Sequence, residues 1–106
     1  MKLGIVLYST EPEVVWNAFR LAIFSQKQED KVSIFLLAQG VEAPDLQSEK
    51  FNITSLIKEF VEADGQILSC TTCIQSRNKD ENALCPLATL QDLYSLIKMC
   101  DRVLTF

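Results

Sequence analysis

A chain of 106 residues suits one domain, 1–106, and is short for two. It is 48% hydrophobic and 23% charged, which supports a packed core and argues against disorder. The formal charge of −4 disfavours nucleic acid or an anionic membrane as partner. The absence of histidine removes Ser-His-Asp and Cys-His catalysis and mixed Cys/His zinc sites.

Lys2 to Tyr8 (KLGIVLY) is a nearly continuous apolar run, the pattern of a strand covered on both faces. No signal peptide is visible before it, and no apolar run approaches the roughly 20 residues of a membrane-spanning helix. A cytoplasmic location is therefore expected. In that compartment four cysteines are more often reduced, catalytic or metal-bound than bridged.

Ser9 or Thr10 is placed to cap the first helix, with Thr10 and Glu13 spaced as a capping box and Pro12 in the first turn. The helix runs to about Gln28. Between Val14 and Phe24 only Asn17 and Arg20 are polar. A helix apolar nearly all round is covered on more than one side, so a second subunit is expected over the face the sheet leaves bare. Trp16 reads as an interface or core anchor.

Lys31 to Leu37 (KVSIFLL) is the second strand. The loop Ala38–Val41 and the polar, Pro44-containing stretch to Lys50 form a candidate lid or contact segment. Asn52 caps the next helix, whose apolar residues Ile53, Leu56, Ile57, Phe60 and Val61 share one face, and Asp64-Gly65 supplies a glycine C-cap.

Gln66 to Cys70 is the third strand, and Cys70-Thr71-Thr72-Cys73 opens a short helix. Asn78 to Asn82 reads as a polar loop. Leu84 to Ala88 is a fourth strand that Pro86 confines to an edge. Thr89 with Asp92 caps the last helix, whose core positions are expected at Leu90, Leu93, Tyr94, Ile97 and Cys100. Arg102 to Phe106 closes the chain as a fifth strand. Strict βα alternation predicts a three-layer α/β/α fold with a mainly parallel five-stranded sheet, a flavodoxin-like architecture with right-handed crossovers.

In an open parallel sheet, sites lie outside the carboxyl ends of the strands. Tyr8-Ser9-Thr10, Ala38-Gln39-Gly40-Val41 and the CxxC meet there. A strand-to-helix junction favours the thiolate of Cys70 through unpaired amides and the helix dipole, and Cys73 lies one turn on, within disulfide reach. Arg77 is spaced to line the same face and hold an anionic sulfur species. Ser9, Thr10 and Gly40 are candidate substrate contacts. Plain packing or capping roles also fit each of these residues. Cys100 reads as a small hydrophobe and Cys85, before Pro86, as an exposed edge residue. The cysteine spacing does not favour structural zinc, and no nucleotide-binding glycine motif occurs. Neither a metal nor a cofactor is expected.

A strand ending in the first cysteine of a CxxC, with Arg77 a turn beyond the second, resembles the DsrE/DsrF/DsrH-like family of small sulfur-trafficking proteins. The opening strand with its Ser-Thr turn, Phe35 to Val41, and Asp101 to Phe106 are similar too. The resemblance implies a five-stranded parallel sheet assembled as trimers or hexamers. It also implies that one cysteine, matching Cys70, carries sulfur as a persulfide between donor and acceptor proteins. Cys73 matches a second cysteine found in part of the family. A thiol-disulfide oxidoreductase and a non-catalytic oligomeric module are the alternatives.

Overall fold

The computed structural model describes residues 1–80 and 82–106. Five strands alternate with four helices: β1 (Lys2–Leu7), α1 (Pro12–Lys27), β2 (Lys31–Leu36), α2 (Ile53–Glu62), β3 (Gln66–Cys70), α3 (Thr71–Ser76), β4 (Leu87–Ala88), α4 (Leu90–Met99) and β5 (Arg102–Thr105). Within the sheet the described strands pair in parallel, in the order β4-β3-β2-β1-β5. The chain steps outward from β1 to β4, and the α4 crossover returns it to the other side of β1.

This topology puts α1 and α2 on one face and α4 on the other. Alternate residues of β1 show the split: Leu3, Ile5 and Leu7 join the core beneath α1, while a side chain at Gly4 would meet Leu96 and Cys100 of α4. On the α1 side the core is dense, with Phe19 and Phe60 fully buried and their rings edge to face, while Phe35, in register with Val6, is buried on the α4 side. The α2 stripe behaves as its spacing predicts: Ile53, Ile57 and Phe60 are buried, and Asn52 accepts the Ser55 amide at 3.1 Å.

Several local expectations are corrected. Pro12 begins α1, so the cap falls on Glu11: its carboxylate accepts the Val14 amide at 2.8 Å, and Ser9 Oγ accepts the Glu11 amide. The Thr10–Glu13 box is not what starts the helix. The far side of α1 is covered in part by the chain itself, since Trp16 packs against Phe51 with ring centroids 5.0 Å apart and planes tilted by 48°. Leu21 and Phe24 stay exposed. On α4 the inward stripe is Leu93, Leu96 and Cys100, while Leu90, Tyr94 and Ile97 face solvent. Thr89 and Asp92 do form the expected capping box.

Helices α1, α2 and α3 end alike. Each closes with paired amide-to-carbonyl bonds around one left-handed residue, Glu29 (φ 68°), Asp64 (φ 67°) and Asn78 (φ 50°). None of the three is glycine. Gly65 is required for space instead: a Cβ there would lie 2.5 Å from the Phe60 ring.

The segment after β2 is a run of 3-10 turns, Ala38–Asp45, and not a free lid. Val41 and Ala43 are buried, and Gly40 packs directly on β1. The fourth strand shrinks to Leu87–Ala88 and lies at the edge, as Pro86 requires. Of the polar loop Asn78–Asn82, Glu81 lies outside the described residues. Among the described residues no helix is long and apolar enough to cross a membrane.

The glycine contacts predict unequal costs. A Cβ on Gly40 would sit 1.9 Å from the Leu7 carbonyl oxygen, which is fixed backbone; at Gly4 the nearest atom, 2.6 Å away, is a movable Leu96 methyl. In urea unfolding, Gly40→Ala should cost about 3 kcal/mol or more, and Gly4→Ala about 1 kcal/mol.

Candidate functional site

The carboxyl ends of β1, β2 and β5 are laced together by backbone. The Leu37 amide donates to the Leu7 carbonyl at 2.9 Å, and the Tyr8 amide donates to Phe106 on the β5 side. After Leu37 the chain turns sharply, with Ala38 in the left-handed region at φ 52°. That turn aims the Ala38 amide at Cys73 Sγ, 3.3 Å away.

Cys70 is the last residue of β3 and the cap residue of α3. Its side chain is only 5% exposed. The thiol touches that of Cys73, and burial is the main influence on its ionisation. Burial pushes the Cys70 thiol up, the contact with the Cys73 thiol adds to this, and the amides of Cys73 and Thr72 oppose both. The expected lowering by the helix start is therefore outweighed by desolvation; α3 has only six residues. Cys73 is half-buried and is the more open of the two. Thr71 Oγ1 donates to the Ala88 carbonyl at 2.8 Å and fixes the start of α3 against the edge strand.

Arg77 caps the other end of α3. It donates to the Cys73 carbonyl at 3.3 Å, to Ser76 Oγ at 3.2 Å, and to Glu42 at 3.3 Å. It thus stands beside the CxxC turn, with its charge paired to a carboxylate of the 3-10 segment. Lys79 and Asp45 make a second ion pair across the same gap. Gly40 is buried against the Leu7 carbonyl. Ser9 serves the cap of α1, and Thr10 lies just before that cap. The structure brings the Cys70 and Cys73 side chains together, whereas Arg77, expected to hold a sulfur anion, meets the pair through the Cys73 backbone carbonyl and pairs its charge with Glu42. The contacts made by Ser9 and Gly40 are to backbone.

Two participants were not visible in the sequence. Nothing about an alanine between Leu37 and Gln39 announces a left-handed turn with its amide on a thiol. Glu42 lies 35 positions from its partner Arg77. The remaining cysteines stand apart from the pair. Cys85 is buried, 1% exposed, and not an open edge residue as its place beside Pro86 suggested; a turn closed by its amide on Asn82 tucks it inward. Cys100 lies against Gly4 at the C-terminus of α4. Among the described residues no three cysteine or carboxylate side chains gather closely enough to hold a metal ion.

Burial, followed by the charge of Asp45, pushes Cys85 up to about 12. An unfolded chain ionises a thiol near pH 8.5, so the fold retains this proton in a window where the unfolded chain has lost it. Stability tied to Cys85 is complete below the lower value and is lost as pH rises toward the higher one. Denaturant unfolding should show a fall of a few kcal/mol across that window, and Cys85→Ala should flatten it. Under native conditions iodoacetamide should modify Cys73 first and Cys85 last, as read by peptide mass spectrometry.

The chain is similar over its full length to known proteins. The YchN protein from E. coli has a solved structure that superposes with a TM-score of 0.84 at 25% identity, covering 100% of both chains. A Methanocaldococcus jannaschii protein, MJ0989, is 32% identical over 100 residues, 89% of this chain and 88% of its own. A Methanopyrus kandleri protein, MK0008, is 28% identical over 103 residues, 89% of this chain and 83% of its own. Both archaeal proteins are described as uncharacterised. The DsrE/DsrF-like family matches residues 1–106, and with the shared parallel sheet this establishes that the chain belongs to that family.

Proposed function

We propose that this protein is a sulfur carrier whose Cys70–Cys73 pair takes sulfane sulfur from a donor persulfide and passes it to an acceptor protein's thiol. One observation carries the reading: two unbridged thiols meet where β3 passes into α3, and Cys73 is only half-buried. A thiolate of the pair attacks the outer sulfur of the donor. A new S–S bond forms, the donor's S–S bond breaks, and the electron pair leaves on the donor thiolate. The acceptor thiolate then repeats the step on the carrier persulfide. Arg77, beside the turn and already paired to Glu42, positions α3 for this exchange.

The setting is a reducing compartment such as the cytoplasm, where the thiols stay free. Donor and acceptor are proteins; the net negative charge does not suit nucleic acid or membrane. The working form is a homo-oligomer, trimer or hexamer. Met1, Leu21, Phe24 and Leu104 line an apolar groove beside the open edge of β5, with Phe24 63% exposed. Such a groove is a natural contact between copies.

The touching thiols are also compatible with thiol–disulfide exchange, and an insulin-reduction assay distinguishes that chemistry. The carrier reading expects no turnover of insulin. It expects one added sulfur atom on the Cys70–Cys73 peptide after incubation with glutathione persulfide. Failure of that adduct to appear in mass spectra counts against it. Sedimentation should find a multiple of the 12.0 kDa chain, reduced toward monomer by Phe24→Glu. A wild type that stays monomeric at micromolar concentration contradicts the oligomer.

A further inference from the structure

Within the sulfur-carrier reading, on which this inference rests, the two cysteines are not equivalent. Cys73 is half-buried, and its sulfur meets an outside donor, the Ala38 amide, at 3.3 Å. Cys70 is 5% exposed, and the sulfur it touches is that of Cys73. Ala38 reaches its position only through a left-handed backbone, φ 52°, that an L-residue adopts at a cost of about 1–2 kcal/mol. Backbone held against its preference beside a reactive group is a recurrent feature of functional sites.

We infer that Cys73 is the receiving thiol, that the Ala38 backbone amide is its positioning group, and that Cys70 is the sheltered second station. An amide N–H aimed at sulfur from a separate segment holds that atom in one orientation. Cys73 thiolate takes the outer sulfur of the donor and becomes a persulfide, and the donor departs as its thiolate. The Cys70 sulfur then attacks the outer sulfur of that persulfide. Its S–S bond forms as the Cys73–sulfur bond breaks, and the electron pair returns to Cys73 Sγ. The Cys70 proton crosses the existing contact between the thiols to the departing Cys73 sulfur. Two thiols and one sulfur atom are conserved, so no oxidant or reductant is consumed. The incoming atom moves from a half-buried position to a buried one.

The test compares wild type, Cys70→Ser and Cys73→Ser after timed incubation with glutathione persulfide, with adducts located by peptide mass spectrometry. The expected result is that Cys70→Ser takes up sulfur and retains it on Cys73, with no passage to position 70. Uptake by Cys73→Ser should fall by at least about tenfold. Wild-type uptake on Cys70 in Cys73→Ser overturns the proposed order and leaves the carrier reading standing. No adduct on any of the three proteins overturns both. For the positioning role, the Ala38 amide proton is followed by NMR during a pH titration. It should move with the midpoint found for Cys73 alkylation, and should lose that movement in Cys73→Ser. An Ala38 amide indifferent to Cys73 ionisation overturns that role.

Discussion

The Leu7 carbonyl is the point on which the arrangement at the carboxyl ends depends. It accepts the Leu37 amide and lies against Gly40, where no larger residue fits. This contact turns the chain tightly after β2 and sends Val41 and Ala43 back into the core. Within the same turn Ala38 is left-handed, with its amide toward Cys73 of α3. The environment of Cys73 is therefore set by packing between β1 and β2 as well as by its own helix. A buried, satisfied backbone contact is difficult to rearrange, so the turn gives the thiol a fixed partner.

The electrostatics at the CxxC are a balance in which desolvation outweighs the local amides at Cys70. The same two amides around an exposed sulfur would favour the thiolate. Placed behind a strand pairing, they moderate the cost of burial and do not reverse it. Arg77 acts beside this balance by tying α3 to the 3-10 segment through Glu42, with an uncharged carbonyl of Cys73 as its contact inside the turn.

Where local signals and burial agree, the sequence was a good guide. The continuous apolar runs gave β1 and β2, the i, i+3, i+4 spacing gave α2, and Thr89 with Asp92 gave the start of α4. Pro86 correctly restricted its strand to an edge. Reading failed where long-range packing selects among locally similar options. On α4, Leu90, Tyr94 and Ile97 form as good a stripe as Leu93, Leu96 and Cys100, and only the space above Gly4 decides which faces inward. The left-handed residues Glu29, Asp64 and Asn78 stand where glycine is the usual marker, so composition could not flag the manner of those helix endings. The CxxC was conspicuous, whereas the burial of Cys70 and the Ala38 amide belong to tertiary structure alone.

The fourth strand bears on how Cys70 is reached. Only two residue pairs, Ser69 with Leu87 and Cys70 with Ala88, join β3 to this edge, against six joining β1 to β2. Brief detachment of so short a border requires far less free energy than unfolding the whole sheet. The shelter around Cys70 thus has its own opening equilibrium, set by how often the outermost strand lets go.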